Sequence, residues 1–283
     1  DEASSATRSA RSEFPAMALI VGDNAVGAGG VTVYDLDDPA APMFMVFSKI
    51  GTASTAQSLC STDDAITSIF ALNGRIYFGV PSGGDYFGLR ICDLTADHYS
   101  ILNTGGERVS TSNDRNASLN WTGSISPDAS KAIASNNVND VAATVLEGSE
   151  LGALGLPIPT VAVGTAGGCS VILANGTVNN SSSTAAFTGV KFDDKGVLFL
   201  AYNNTTDSWV TQCEPSAYHT AGGNFNVSYF TETTHSGATS YIPNFVGSVP
   251  KIANLANDGL AVGTDSALNL YKINKGDTTE SAV

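Results

Sequence analysis

The sequence predicts an all-β protein, a β-propeller built from antiparallel four-stranded blades. One observation is a pattern of short apolar runs, each of strand length, separated by tight turns of Gly, Asn or Asp. The other is composition, because 29 glycines among 283 residues, abundant Thr, Ser and Asn, and 13 Lys plus Arg suit many turns and few long amphipathic helices. We expect about five blades, with six or seven as alternatives, and a β-sandwich or an open array of hairpins as the alternative fold.

The clearest hairpin pattern runs from Gly155 to Thr177, where a Gly-rich turn joins two apolar runs and Asn-Gly closes the second. The same pattern recurs at Ile69–Val80, at Val190–Tyr202 and at Ile252–Ile273. Repetition of one supersecondary unit is typical of an array such as a propeller.

The second repeat unit is the most complete, and it favours blades over half of a sandwich. Its four apolar runs are AITSIFALN, RIYFGV, FGLRICDL and HYSIL, within about 38 residues, and Gly, Asn or Asp marks each reversal. Four short strands with tight turns are what one blade requires.

The other four units are less complete. The first contains MALIVGD, GVTVYDLD and MFMVF; the third NDVAATVL, TVAVGTA, CSVILA and a short edge at Thr177-Val178; the fourth AAFTGVKFD, GVLFLAY, SWVTQC and FNVSYF; the fifth VPKIANL, GLAVGTD and LNLYKI. The first unit lacks an opening strand and the fifth lacks a closing one. A propeller closes by pairing strands from the two chain ends, so these strands come from within the chain or from flanking sequence.

The domain organisation follows from where the pattern holds. Residues 1–12 are predicted to be a polar leader or linker, 13–275 the propeller-like domain, and 276–283 a polar tail. Loop insertions are expected near 103–131 and 214–247, and the first of these is predicted to lack structure of its own because apolar residues are scarce there.

Charge and hydropathy exclude several partners. The formal net charge of −14 would repel nucleic acid and anionic membrane surfaces. No apolar run approaches the roughly 18 residues that a membrane span needs, so no membrane insertion is expected. The chain opens without Met, a basic segment or an apolar segment, so we expect no signal peptide here and a piece of a longer protein.

The four cysteines, Cys60, Cys92, Cys169 and Cys213, are far apart and form no Cys-x-x-Cys pair. Each lies in or beside an apolar run, which favours small buried thiols. A disulfide such as Cys169 to Cys213 stays open at this point, because the sequence does not assign pairs.

No catalytic residue, metal site or cofactor is predicted. The sequence contains no Gly-x-Ser-x-Gly elbow, His-Glu-x-x-His helix, P-loop or sialidase-type Asp-box. The three histidines, His98, His219 and His235, are too dispersed to form a metal site by spacing. Adjacent carboxylates such as Asp37-Asp38 would point to opposite faces of a strand and would not share a substrate.

The segment from Glu214 to Phe245 carries the candidate ligand-binding residues. Aromatic side chains occur there among Gly, Ser, Thr, His and Asn, a mixture that suits recognition of sugars or of a protein surface. FNVSYF alternates as a half-buried strand does, and it is predicted to be sheet. The candidates on exposed loops are Tyr218, His219, His235 and Tyr241.

Three segments resemble large structural proteins of marine tailed bacteriophages. They are FPAMALIVGDNAVGAGGVTVYDLDDPAAPMFMVF, NNVNDVAATVLEGSELGALGLPIPTVAVGTAGGCSVILANGTV and FTGVKFDDKGVLFLAY. They occur in this order over roughly Phe14 to Tyr202, and the shared order makes the resemblance more specific than any one segment. Cys169 stands where valine is expected, a change that a buried site tolerates.

The resemblance implies a non-enzymatic virion structural protein: a tail fibre, spike or other appendage module that displays loops for host attachment. It implies other virion proteins, copies of the chain and a host cell-surface glycan or protein as partners. It also implies a location at the tail or outer surface of the extracellular particle. The alternative functions are a capsid decoration protein and a secreted bacterial propeller, either a lectin or a glycan-active enzyme.

Overall fold

Eighteen strands dominate the computed structural model, which describes residues 15–23, 30–48, 65–81, 87–96, 98–111, 128–203, 208–218, 225, 251–255, 259–263 and 268–272. The strands are β1 (Ala18–Asp23), β2 (Gly30–Asp35), β3 (Met43–Ser48), β4 (Ser68–Leu72), β5 (Arg75–Val80), β6 (Gly88–Asp93), β7 (His98–Asn103), β8 (Gly106–Thr111), β9 (Val138–Thr144), β10 (Thr160–Thr165), β11 (Gly168–Ile172), β12 (Val178–Asn180), β13 (Phe187–Phe192), β14 (Leu198–Asn203), β15 (Ser208–Cys213), β16 (Lys251–Leu255), β17 (Gly259–Gly263) and β18 (Leu268–Lys272). Within the same described ranges, one short helix, α1 (Pro215–Tyr218), and one 3-10 turn (Ala129–Lys131) accompany them.

The tight turns follow from the residues that the sequence places there. Between β4 and β5, Asn73 and Gly74 have φ angles of 50° and 72°, and Leu72 pairs directly with Arg75. A two-residue hairpin with two positive φ angles matches the twist of the strands, and Asn-Gly adopts it most readily. The Asn-Gly signal therefore fixes both the turn and the register of this hairpin.

The strands form five antiparallel sheets, each made of consecutive strands. The orders are β1-β2-β3, β4-β5-β6-β7-β8, β12-β11-β10-β9, β13-β14-β15 and β16-β17-β18. Each sheet is thus a meander, the arrangement expected of a propeller blade.

The sheets pack side by side in chain order. The first strands of the last four sheets, β4, β9, β13 and β16, each contact the next one. The second strands β5, β10 and β14 each pack against the first strand of the following sheet. This repeated stacking of meanders around adjacent first strands confirms the predicted β-propeller.

The first sheet packs in the same way, except that its first described strand, β1, takes the position that the second strand takes in the other sheets. Its strand β1 packs against β4 as β5 packs against β9, so β1 stands in the position of a second strand. Gly22 in β1 also approaches Ile66 closely, as Gly79 in β5 approaches Val138. Within the described residues this sheet therefore holds the second, third and fourth strands of a blade, in agreement with the missing opening strand predicted from the sequence.

Apolar side chains fill the spaces between successive sheets. One buried cluster, which includes Val33, Phe47 and Phe78, joins the first two sheets. A second cluster joins the second and third sheets, and a third cluster around Phe187 and Leu200 joins the third and fourth. Burial of these apolar surfaces is the main force that holds one blade to the next.

Polar side chains on the first strands, or directly before them, add hydrogen bonds between blades. Thr67 Oγ1 donates to the carbonyl oxygen of Val138 at 2.8 Å, and Asn139 Nδ2 donates to that of Phe187 at 3.0 Å. Both bonds run from one blade to the first residue of the next blade's first strand, β9 or β13. Their repetition shows that neighbouring blades meet in the same geometry.

The number of strands per sheet differs from the predicted four. The third sheet has four and the second has five, whereas the other three have three strands each in the described ranges. The fifth strand of the second sheet, β8, lies inside the range 103–131, which was predicted to lack structure. β8 pairs with β7 after a tight turn in which Gly105 N donates to Asn103 Oδ1. This edge strand was not predicted because Glu107 and Arg108 are polar, so its sequence shows no apolar alternation.

The range 214–247, predicted as a loop insertion, begins with the short helix α1. Of the predicted strand FNVSYF, Phe225 is described: it is buried, and it forms an isolated parallel bridge with Ser181 beside β12. The rest of that strand, the leader at 1–12 and the tail at 276–283 lie outside the described residues.

The cysteines Cys92, Cys169 and Cys213 are free and buried, so the disulfide between Cys169 and Cys213 is not formed. Cys60 lies outside the described residues. Burial raises the pKa of Cys169, and burial followed by the charge of Glu214 raises the pKa of Cys213 to about 12. Neither thiol is therefore a reactive thiolate at neutral pH.

We expect these buried thiols to resist a thiol reagent in the folded protein. In a Cys60→Ser variant, 5,5′-dithiobis(2-nitrobenzoate) should label no cysteine before unfolding, and three cysteines after unfolding without reductant. Labelling of only one cysteine after unfolding would show that Cys169 and Cys213 are joined by a disulfide instead.

The hydrogen bonds and the ion pair of the Asp93 carboxylate predict that the protein loses stability in acid. Its Oδ1 accepts hydrogen bonds from Thr95 Oγ1 at 2.6 Å and from Thr95 N at 2.9 Å, and Arg75 Nη2 lies 2.7 Å from its Oδ2. Burial raises the pKa of Asp93, but the hydrogen bonds from Thr95 and the charge of Arg75 outweigh burial and lower this pKa below its usual value. A folded-state pKa below the unfolded one means that the carboxylate stabilises the fold above the unfolded pKa. That contribution is lost as the pH falls through the folded pKa.

We therefore expect Asp93→Asn to lower the free energy of unfolding at pH 6, with a deficit that shrinks as the pH falls below about 4. Urea denaturation of both proteins across this pH range measures the deficit. A deficit that stays constant with pH would contradict the role of the charge.

Candidate interaction surface

The connection between β9 and β10 forms an exposed apolar surface feature of the described chain. It spans residues 145–159 and begins with a turn in which Ser149 N and Ser149 Oγ both donate to the carbonyl oxygen of Leu146, at 3.1 and 2.8 Å. Gly148 in this turn has a φ of 77°, a conformation that favours glycine. This turn leads into a hairpin.

This hairpin, here named the leucine hairpin, spans Glu150–Ile158. Ile158 N donates to Glu150 O at 2.7 Å, Gly152 N donates to Leu156 O at 2.8 Å, and Leu151 pairs with Pro157 in a β-bridge. Its tip closes with a bond of 3.0 Å from Gly155 N to Gly152 O. These backbone bonds give the projecting loop a defined shape.

Three leucine side chains of the hairpin face solvent. Leu154 is 70% exposed, Leu151 is 66% exposed and Leu156 is 41% exposed. Val145, just before the hairpin, is exposed as well. A single exposed leucine is ordinary, but several grouped on one loop mark a surface that is suited to burial against another molecule.

Neighbouring blades hold the loop from both sides. Asn73 Nδ2, in the β4–β5 turn, donates to the carbonyl oxygen of Pro157 at 2.8 Å. On the other side, Leu146 Cδ2 lies so close to Gly196, in the β13–β14 turn, that a side chain at that glycine has no room. The turns after the first strands of three blades thus form one face of the propeller, and the leucine hairpin projects from that face.

A cavity of about 120 Å³ opens beside the hairpin. It is lined by Leu146, Glu147, Gly148, Ser149, Glu150, Thr160, Leu173, Ala174 and Asn175. Buried Thr160 and Leu173 contribute to the lining together with the exposed Glu147 and Glu150. We name this feature the acidic cavity, because its two charged lining residues are both glutamates.

Of the four residues predicted to bind ligands, Tyr218 is described, and its predicted exposure is corrected. It is fully buried at the end of α1, where its hydroxyl donates to Gly196 O and its ring packs edge-on against Phe192 at 6.1 Å. Burial, followed by the charge of Asp193, raises the pKa of Tyr218. Tyr218 therefore anchors α1 beneath the surface.

His219, His235 and Tyr241 lie outside the described residues and stay predictions. The sequence interpretation did not single out the leucine hairpin. The available signal was three leucines spaced by Gly and Ala within a connection, where neither the helical nor the strand period explains them.

The described part of the chain offers no metal cluster of three or more His, Cys, Asp or Glu residues. Within the same residues, no helix has the length and apolar character needed to cross a membrane. In the Asp35–Asp38 turn, the carboxylate of Asp37 accepts hydrogen bonds from Ala16 N at 2.8 Å and from Met17 N at 2.9 Å. These bonds attach the residues before β1 to the first sheet.

The stacked meanders define the class of the protein, which is a β-propeller. Neither a family model nor a curated protein matches the sequence.

Several solved structures are similar in fold. Hsv2 of Kluyveromyces lactis is 12% identical over 93% of this chain and 70% of its own, with a TM-score of 0.40. A protein of unknown function from Bacteroides caccae is 13% identical over 93% of this chain and 70% of its own, with a TM-score of 0.43. The Dos1 propeller is 14% identical over 77% of this chain and 51% of its own, with a TM-score of 0.39. Likenesses of this size assign no function to the chain.

Proposed function

We propose that this chain is a non-enzymatic structural protein of a bacteriophage virion. In this role it is a tail fibre, spike or other appendage module, and its propeller presents loops to neighbouring virion proteins or to the host surface. The observation that carries the proposal is the leucine hairpin, an ordered apolar projection on one face of the propeller.

The position of the hairpin in the sequence supports this function. Residues 136–178, which include the whole hairpin, form the second of the three segments that resemble virion structural proteins. Grouped exposed leucines suit burial in an assembly. The resemblance and the exposed surface therefore coincide in one segment.

The use of Asp140 favours a structural over a glycan-active propeller. Asp140 is the acidic residue on the described first strands β4, β9, β13 and β16. Its Oδ1 accepts from Ser68 Oγ at 2.6 Å and its Oδ2 from Val190 N at 3.0 Å, so both oxygens join neighbouring blades. Glycoside hydrolysis needs a pair of carboxylates that flank a substrate, which this arrangement does not supply.

Fractionation of particles from the native source tests the proposal. We expect peptides of this chain, identified by mass spectrometry, to band with intact phage particles in a density gradient and to stay there after a high-salt wash. Recovery of the chain in the particle-free supernatant alone would contradict a virion role and favour a secreted propeller.

A further inference from the structure

We propose that the leucine hairpin and the acidic cavity form one docking surface for a partner protein that presents a Lys or Arg beside apolar side chains. The inference rests on the proposed function, because it specifies the chemistry of the protein that this loop contacts. It commits to a partner other than a second copy of this chain.

The apolar half of the surface is the hairpin itself. Leu151, Leu154 and Leu156 are held by the backbone bonds of the hairpin and by Asn73 of the neighbouring blade. A surface that is already ordered loses little conformational entropy on binding, which favours association. Apolar side chains of a partner would replace water around the three leucines.

The charged half is the acidic cavity. Glu147 and Glu150 are exposed, and within the described residues neither carboxylate has an ion pair or a hydrogen bond. A Lys or Arg side chain placed between them would form charge-assisted hydrogen bonds, while its aliphatic stem lies along apolar Leu146 and Leu173. The cavity thus complements the most common cationic side chains.

The size and lining of the cavity favour a protein side chain over a free ligand. Its volume of about 120 Å³ is well below the roughly 300 to 1,000 Å³ typical of small-molecule pockets. Among the described residues no aromatic side chain lines it, although aromatic faces are what sugar sites use. One side chain of a larger partner fits these dimensions.

Net charge favours a basic partner over a second copy at this surface. Two chains that each carry −14 repel one another, and the acidic cavity adds negative charge where a second copy would have to dock. A partner with a basic patch is attracted instead, and its association is faster at low salt.

Peptide binding to the whole chain tests the proposal. The probe is a capped synthetic peptide of alternating leucine and lysine, and the matched probes carry glutamate for lysine or serine for leucine. We expect fluorescence anisotropy to show binding of the leucine–lysine peptide alone, and weaker binding as salt rises.

Variants then locate the site. Leu154→Ser, and Glu147→Gln combined with Glu150→Gln, should each weaken binding at least about tenfold. The matched controls Leu36→Ser and Asp38→Asn change an exposed leucine and an exposed acid on the β2–β3 turn, and they should leave binding unchanged. Circular dichroism verifies that each variant folds.

Three results would overturn the docking surface: no binding of the leucine–lysine peptide up to about 1 mM, equal binding of the glutamate peptide, or unchanged binding by the cavity variants. None of these results alters the banding of the chain with phage particles. The virion role and the docking chemistry therefore fail separately.

Discussion

Gly79→Ala is expected to lower the free energy of unfolding by about 1–3 kcal/mol, because the second and third sheets meet at this glycine. A Cβ there would lie 2.5 Å from Val138 Cγ1 and 2.8 Å from Thr67 Oγ1. Thr67 Oγ1 donates to the carbonyl oxygen of Val138 in the next blade at 2.8 Å and lies 3.1 Å from the carbonyl oxygen of Gly79 in its own blade, so it cannot retreat without losing its bond between blades. Urea denaturation followed by tryptophan fluorescence measures the change.

Gly152→Ala is the matched control. Its added Cβ would have its nearest neighbour 3.5 Å away, which is an ordinary contact, and the backbone N–H that bonds to Leu156 is retained. We expect a change within about 0.5 kcal/mol. If Gly79→Ala were as stable as the parent protein, the close approach of β5 to β9 would be wrong.

Asp140→Ala is expected to lower the free energy of unfolding by about 2–4 kcal/mol, because it removes a carboxylate that joins three blades. Ser68 Oγ on β4 and Val190 N on β13 lose their acceptor, and Lys191 Nζ, 3.7 Å from Oδ2, loses its counter-charge. Val190 is fully buried, so its N–H is left without the replacement that water would provide.

Two comparisons separate this network from a general effect of substitution. Asp140→Asn keeps one acceptor oxygen and should cost less than Asp140→Ala. A double-mutant cycle with Ser68→Ala should give a coupling energy above about 0.5 kcal/mol, since the two side chains are in contact. A coupling energy of zero would mean that the bond between blades contributes nothing to stability.

The strands were predictable where apolar runs end at turn residues. Asn73-Gly74 specifies its hairpin locally, and the third unit gave the four strands β9–β12 because each reversal carries Gly or Asn. Strand β8 was missed because an edge strand with Glu107 and Arg108 carries no apolar alternation. The local sequence pattern thus identifies strands whose side chains face a core, and it misses a strand at the outer edge of a blade.

The site was less predictable, because exposure depends on the packing of distant segments. Tyr218 is an aromatic residue in a polar context, which favours an exposed loop, yet the carbonyl of Gly196 satisfies its hydroxyl within the core. Leu154 is apolar, which favours the core, yet the hairpin bonds hold it outward. Neither the burial of Tyr218 nor the exposure of Leu154 can be predicted from the residues next to it in the sequence.

The contacts between blades left a signal that an alignment of the units reveals. Gly22, Gly79 and Gly164 each lie next to last in a strand that packs against the following blade. The shared position follows from one requirement, the absence of a side chain where two strands approach closely.

A cryo-EM map of the particle purified from the native source tests the docking role of the leucine hairpin most directly. We expect density of another chain against Leu151, Leu154 and Leu156, with a basic side chain facing Glu147 and Glu150. A map in which the propeller is present and its leucine hairpin faces solvent in every copy would contradict that role.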